Sequence, residues 1–174
     1  MTAIELLVVM SIIAIFMAMA MPSFLSLTQT NRVASEVNAL VGDLQFARAE
    51  AIKEGIPVSI CASSNGTSCL GAATWNMGWI VFSDPNGNKA VDTGDLVLRK
   101  QIPWTSTDTF SAADSNNNAV TALSYSRDGF AMNLAGTVIW TLHTQPVNTL
   151  ASRCVTLNIV GHQQVQSAGT GNCQ

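Results

Sequence analysis

The chain has 174 residues, 48% of them hydrophobic and only 11% charged, with 8 Lys and Arg against 11 Asp and Glu for a net charge of -3. That length holds one domain with a real core, and that charge balance argues against a nucleic-acid binder working through a clustered basic face. The wetted surface must then be built mainly from Ser, Thr, Asn and Gln, which respond little to salt.

The first element spans about the first 54 residues. No charge interrupts the stretch from Leu6 to Asn31, and from Leu6 to Met21 the one polar side chain is Ser11. About 20 apolar residues cross a bilayer, so the segment is long enough to do so. It lacks the basic start and small-residue cleavage pattern of an ordinary secretory signal. From Arg32 the pattern turns amphipathic. Val33, Val37, Leu40, Leu44, Ala47 and Ala51 recur every three or four residues and form one apolar stripe, while Arg32, Glu36, Asp43, Arg48, Glu50, Lys53 and Glu54 fall on the other face. Gly55 and then Pro57 mark the end. The expected division is an apolar half over 1–27, an amphipathic half over 28–54 and a globular part over 55–174. Fifty helical residues would reach about 75 Å. Pro22, with no N–H to donate, should kink or locally melt this helix.

Glu5 stands alone at the start of the apolar run. A carboxylate in hydrocarbon costs several kcal/mol unless it is paired. Two readings fit the residues: Glu5 snorkels to the headgroups, or it pairs with the Met1 amine of a neighbouring copy shifted along the helix axis and so sets the register of packed helices.

Met1-Thr2-Ala3-Ile4-Glu5-Leu6-Leu7-Val8-Val9, with Pro22 beyond it, resembles the start of the type IV pilin superfamily. The resemblance implies a short leader removed by a prepilin peptidase, an N-methylated Met1 as mature first residue, and Glu5 pairing with a neighbour's terminus. "WNMGWIVFSDPNGNKAVDTGDLVLR" (Trp75 to Arg99), "LSYSRDGFAM" and "RCVTLNIVGHQQV" resemble the minor-pilin and secretion-pseudopilin H (GspH/FimT-like) branch. The match leaves residues 105–121 least covered. It implies an α+β type IV pilin fold, a long N-terminal helix packed on an antiparallel sheet or small sandwich.

The residues beyond Gly55 carry a strand pattern of their own. Runs at 57–63, 79–84, 96–102, 122–129, 136–142 and 154–161 are β-rich and bounded by Gly, Asn, Asp and Pro. Trp75, Trp79, Phe82 and Trp140 are core candidates. Residues 112–121 read as an exposed polar loop. The four cysteines include no CxxC pair, and neither His143 nor His162 completes a zinc pattern with them. Behind a membrane-inserting terminus they suggest disulfides. Of three possible pairings, Cys61–Cys69 and Cys154–Cys173 close short Gly/Ser/Asn-bearing loops; four buried free thiols are the alternative.

Asp84, Asn86, Asn88, Asp92 and Asp95 place oxygen side chains with the spacing of a calcium loop. Lys89 stands where that loop needs glycine, and Asp95 is shorter than the usual Glu. A plain hairpin with an Asn-Gly turn is the favoured reading, and no cofactor is expected. No nucleophile motif or phosphate loop is present, so an enzyme is not expected.

The expected protein is a pilin-like structural subunit. It would sit in a bacterial inner membrane and then, with other pilin subunits, enter an extracellular pilus, as a homo-oligomeric filament. Alternatives are a minor pilin or pseudopilin priming a pilus or periplasmic type II secretion pseudopilus, and a DNA-uptake receptor. The DNA-binding stretch of such receptors aligns with Gly161-His162-Gln163-Gln164-Val165, which carries no arginine, so no specific nucleic acid is favoured.

Overall fold

The computed structural model describes residues 2–171 and 173, without the side chains of residues 19–22. Helix α1 runs over Ala3–Glu54. It opens with a capping box: Thr2 Oγ1 accepts the Glu5 N–H, and Glu5 Oε2 accepts the Thr2 N–H at 3.0 Å. It closes at Gly55, whose φ of 68° is left-handed and whose N–H bonds to the Ala51 carbonyl.

Among the described residues nine strands follow: β1 (Val58–Ala62), β2 (Trp79–Ser83), β3 (Val97–Gln101), β4 (Thr109–Asp114), β5 (Ala122–Tyr125), β6 (Ala131–Met132), β7 (Val138–His143), β8 (Arg153–Leu157) and β9 (Gln163–Ser167). They form two antiparallel sheets, ordered β3-β2-β1-β5-β6 and β4-β7-β8-β9. The six stripe residues of α1, Val33 to Ala51, are all buried, in one core shared by both sheets. Strand β7 shows the half-buried alternation, with Val138, Trp140 and Leu142 inward. Trp75 meets Trp140 edge-on at 5.5 Å, and Trp104 stacks on Phe110 at 5.3 Å beside Trp79.

The first sheet is covered on its other side too. Cys61, Ile80 and Phe82 pack beneath the loops that carry Cys69 and Val91. Gly78 sits where this sheet is tightest. Its φ is 95°, and a side chain there would strike the Gln101 carbonyl. Disulfides join Cys61 to Cys69 and Cys154 to Cys173.

Two sequence readings need correction. Residues 112–114 belong to β4, with Ala112 buried, and the Val120 carbonyl accepts the Trp75 indole N–H at 2.9 Å; only residues 115–119 of the expected loop are exposed. The run expected over 122–129 ends as a strand at Tyr125, where Ser126 to Gly129 turn into β6. Strand β9 is absent from the β-rich runs read from the residues, although the stretch that resembles the later strands of the branch reaches its first three residues.

Candidate functional site

The apolar half of α1 projects from the domain. Ile4 is 72% exposed, Phe16 70% and Phe24 66%, so every face of this rod is uncovered in the single chain. By length and composition α1 is long and apolar enough to cross a membrane. Three hydroxyls in and just after this stretch turn inward on the helix itself. Ser11 donates to the Leu7 carbonyl, Thr28 to Leu25 and Thr30 to Ser26, at 2.8–2.9 Å. The rod therefore offers hydrocarbon and few free polar groups, which suits lipid or other apolar helices. From Ala3 to Leu27 it is about 37 Å long, enough to cross a hydrocarbon layer of about 30 Å.

Glu5 lies at the free end of this rod. In the single chain its carboxylate caps its own helix through Thr2, a local partner that the sequence reading missed although the Thr-x-x-Glu spacing signals it. Met1, the proposed partner from a neighbouring copy, lies outside the described residues. Helix α1 is continuous through position 22.

The other half of α1 is clamped to the domain by charges that the sequence reading placed on a solvent face. Arg32 makes a two-pronged pair with Asp108, at 2.7 and 2.8 Å, and the buried Asp108 also accepts the Gln145 N–H. Asp43 accepts the Trp79 indole N–H at 2.8 Å and Arg99 at 3.1 Å, while Arg99 also lies 3.8 Å over the Phe46 ring. Arg48 donates to the Gly161 carbonyl at 3.1 Å. Glu36 accepts the Ser106 hydroxyl on one oxygen, and its buried Oε2 has no partner among the described residues. Burial pushes its carboxyl up to about 7, against the counter-effect of the Ser106 bond; Asp108 adds a small push upward and Arg32 a small pull downward. These partners lie far away in sequence, so no local pattern could have revealed them.

The proposed calcium ligands do not converge into a cage. Asp84 is buried and accepts the Ser59 hydroxyl and the N–H groups of Asn88 and Lys89. Asn86 and Asn88 both turn amide N–H toward Asp92, at 2.9 and 2.6 Å, which holds the Asp92 carboxyl below the usual range. Their side-chain oxygens accept backbone N–H groups instead. Asp95 caps the Asp92 N–H. The favoured hairpin also differs in its turn. Pro85 and Asn86 occupy the corners, and Gly87 N–H closes onto the Asp84 carbonyl. In the segment aligned with the DNA-binding stretch, Gly161 has a left-handed φ of 76°, His162 is exposed and Gln163 begins β9.

The family described as "Type II transport protein GspH" matches residues 36–161. No curated protein gives a significant match. Two solved structures of the Pseudomonas aeruginosa type IV minor pilin FimU, in different crystal forms, are similar in fold at 21% identity. One has a TM-score of 0.55 and covers 78% of this chain and 91% of its own; the other has 0.56, with 82% and 92%.

Proposed function

The chain belongs to the family of the type II transport protein GspH, and from that premise we propose that this pilin-like subunit acts structurally. Its apolar rod first holds it in a bacterial inner membrane. It is then packed among the rods of other pilin subunits in a pilus-type filament. The observation that carries this reading is the rod itself, exposed on all faces yet attached to a well-packed domain. Soluble monomers rarely leave so large an apolar surface open; lipid before assembly and neighbouring helices after it are the two covers this reading supplies.

In this reading Glu5 exchanges its contact with Thr2 for the amino terminus of a neighbouring subunit, and Pro22 is where the helix bends to pack. Prepilin peptidase would process the terminus. The role carries no catalysis and needs no cofactor. Whether the subunit repeats along the filament or primes it is decided by abundance. The test is quantitative mass spectrometry of sheared surface filaments and of membranes. A repeating subunit dominates the filament fraction, a priming subunit or pseudopilin is present there in trace or confined to the envelope, and residence in the soluble fraction alone would contradict the proposal.

A further inference from the structure

Two aliphatic side chains outside the rod are left open where the rod meets the domain. Val147 is 63% exposed and Leu150 83%, on the loop between β7 and β8. This loop is firmly built. Asn148 N–H bonds to Thr144 Oγ1, its carbonyl accepts the N–H groups of Ala151 and Ser152, and its Oδ1 accepts Leu150 N–H. The Asn148 side chain then donates to Gln29 Oε1 at 2.9 Å. That bond fixes the loop at the height of Gln29, two residues beyond Leu27, where the apolar run gives way to Thr28-Gln29-Thr30-Asn31.

Resting on the membrane reading above, we infer that this loop is a second contact with the bilayer, seating Val147 and Leu150 in the lipid interface around the rod. If the rod spans the hydrocarbon, Gln29 lies at the headgroups, and the loop lies there with it. The charge at this end agrees. Residues 144–152 contain no carboxylate, Arg153 donates to the Leu150 and Ser152 carbonyls, Arg32 is partly exposed, and Asp108 is buried against Arg32. Asp108 offsets the charge of Arg32, so the cation beside the exposed aliphatics is Arg153, which suits anionic headgroups over an acyl layer. Ile159 and Val160 are also apolar and exposed, at 57% and 48%, but they lie in the turn beside Gly161, which Arg48 holds near the far end of α1, and they would stand clear of the membrane.

The experiment places an environment-sensitive fluorophore on the full chain at Leu150→Cys, Val147→Cys, Ile159→Cys or Ile13→Cys. The chain is reconstituted sparsely in phosphatidylethanolamine–phosphatidylglycerol vesicles carrying nitroxide-labelled lipids. The expected result is a blue shift and loss of emission at 150 and 147 with shallow nitroxides, at 13 with deep ones, and at 159 with neither. Quenching at 13 but not at 150 or 147 would overturn this inference and leave membrane insertion standing. No quenching at 13 would overturn both. Protection at 150 only at high protein density would assign the loop to a second copy instead of lipid and likewise overturn it.

Discussion

Glu36 is a carboxylate that the fold would hold more comfortably neutral. Its ordinary value of 4.5 rises to about 7 through burial against the domain. The folded chain therefore binds this proton more tightly than the unfolded one, and the group's contribution to stability falls as pH rises from about 4.5 to about 7. Glu36→Gln should keep the Ser106 bond, flatten that part of the stability–pH profile, and melt a few degrees above the parent at pH 8 while matching it at pH 4; thermal melts across this range check the sign. Asp84 is a buried carboxylate whose oxygens accept the Ser59 hydroxyl and the N–H groups of Asn88 and Lys89. Asp84→Ala orphans those donors and should cost about 2–4 kcal/mol. A calcium chelator should leave the parent's melting temperature unchanged; a chelator-induced drop that Asp84→Ala abolishes would restore the calcium reading of this loop.

Elements were legible in the sequence where one physical rule dominated. The α1 stripe from Val33 to Ala51 follows helical spacing alone, and every member is buried. Strands β1, β2 and β7 are rich in β-branched and aromatic residues. Strand β4 escaped because its residues Thr109-Phe-Ser-Ala-Ala-Asp114 are mostly small and polar, and pairing with β7 makes it a strand. Strand β9 is a glutamine-rich edge fixed by pairing with β8. The disulfides tie down the loop after β1 and the tail after β9. Their separations of 8 and 19 residues predict about 2.6 and 3.3 kcal/mol from loop closure. Replacing Cys154 and Cys173 by Ser should thus destabilise slightly more than replacing Cys61 and Cys69, as denaturant midpoints at constant m-value would show. Equal stability of the parent with and without reductant would contradict both.

At the scale of the whole molecule, the proposed function has one helix serve two solvents. Its lower half has nothing of its own chain to pack on, and its upper half is locked to the domain by a shared core and by Arg32, Asp43 and Arg48. The polar clamps were not readable from the sequence, because they depend on which distant residues the two sheets bring to the helix. The clamps fix the upper half of α1 to the domain, while Pro22 lies below them. The central claim is therefore that assembly is written into the rod, with Glu5 as its charge. The direct measurement is the amount of subunit recovered in sheared filaments, at matched membrane levels, for the parent, Glu5→Gln and Thr2→Ala. Glu5→Gln preserves the capping box but removes the charge, whereas Thr2→Ala weakens the cap and keeps the charge. If Glu5 receives a neighbour's amine in an apolar setting, Glu5→Gln should fold, insert and fail to assemble, while Thr2→Ala should assemble close to the parent. Filaments that incorporate Glu5→Gln as well as the parent, or that are lost only with Thr2→Ala, would contradict it.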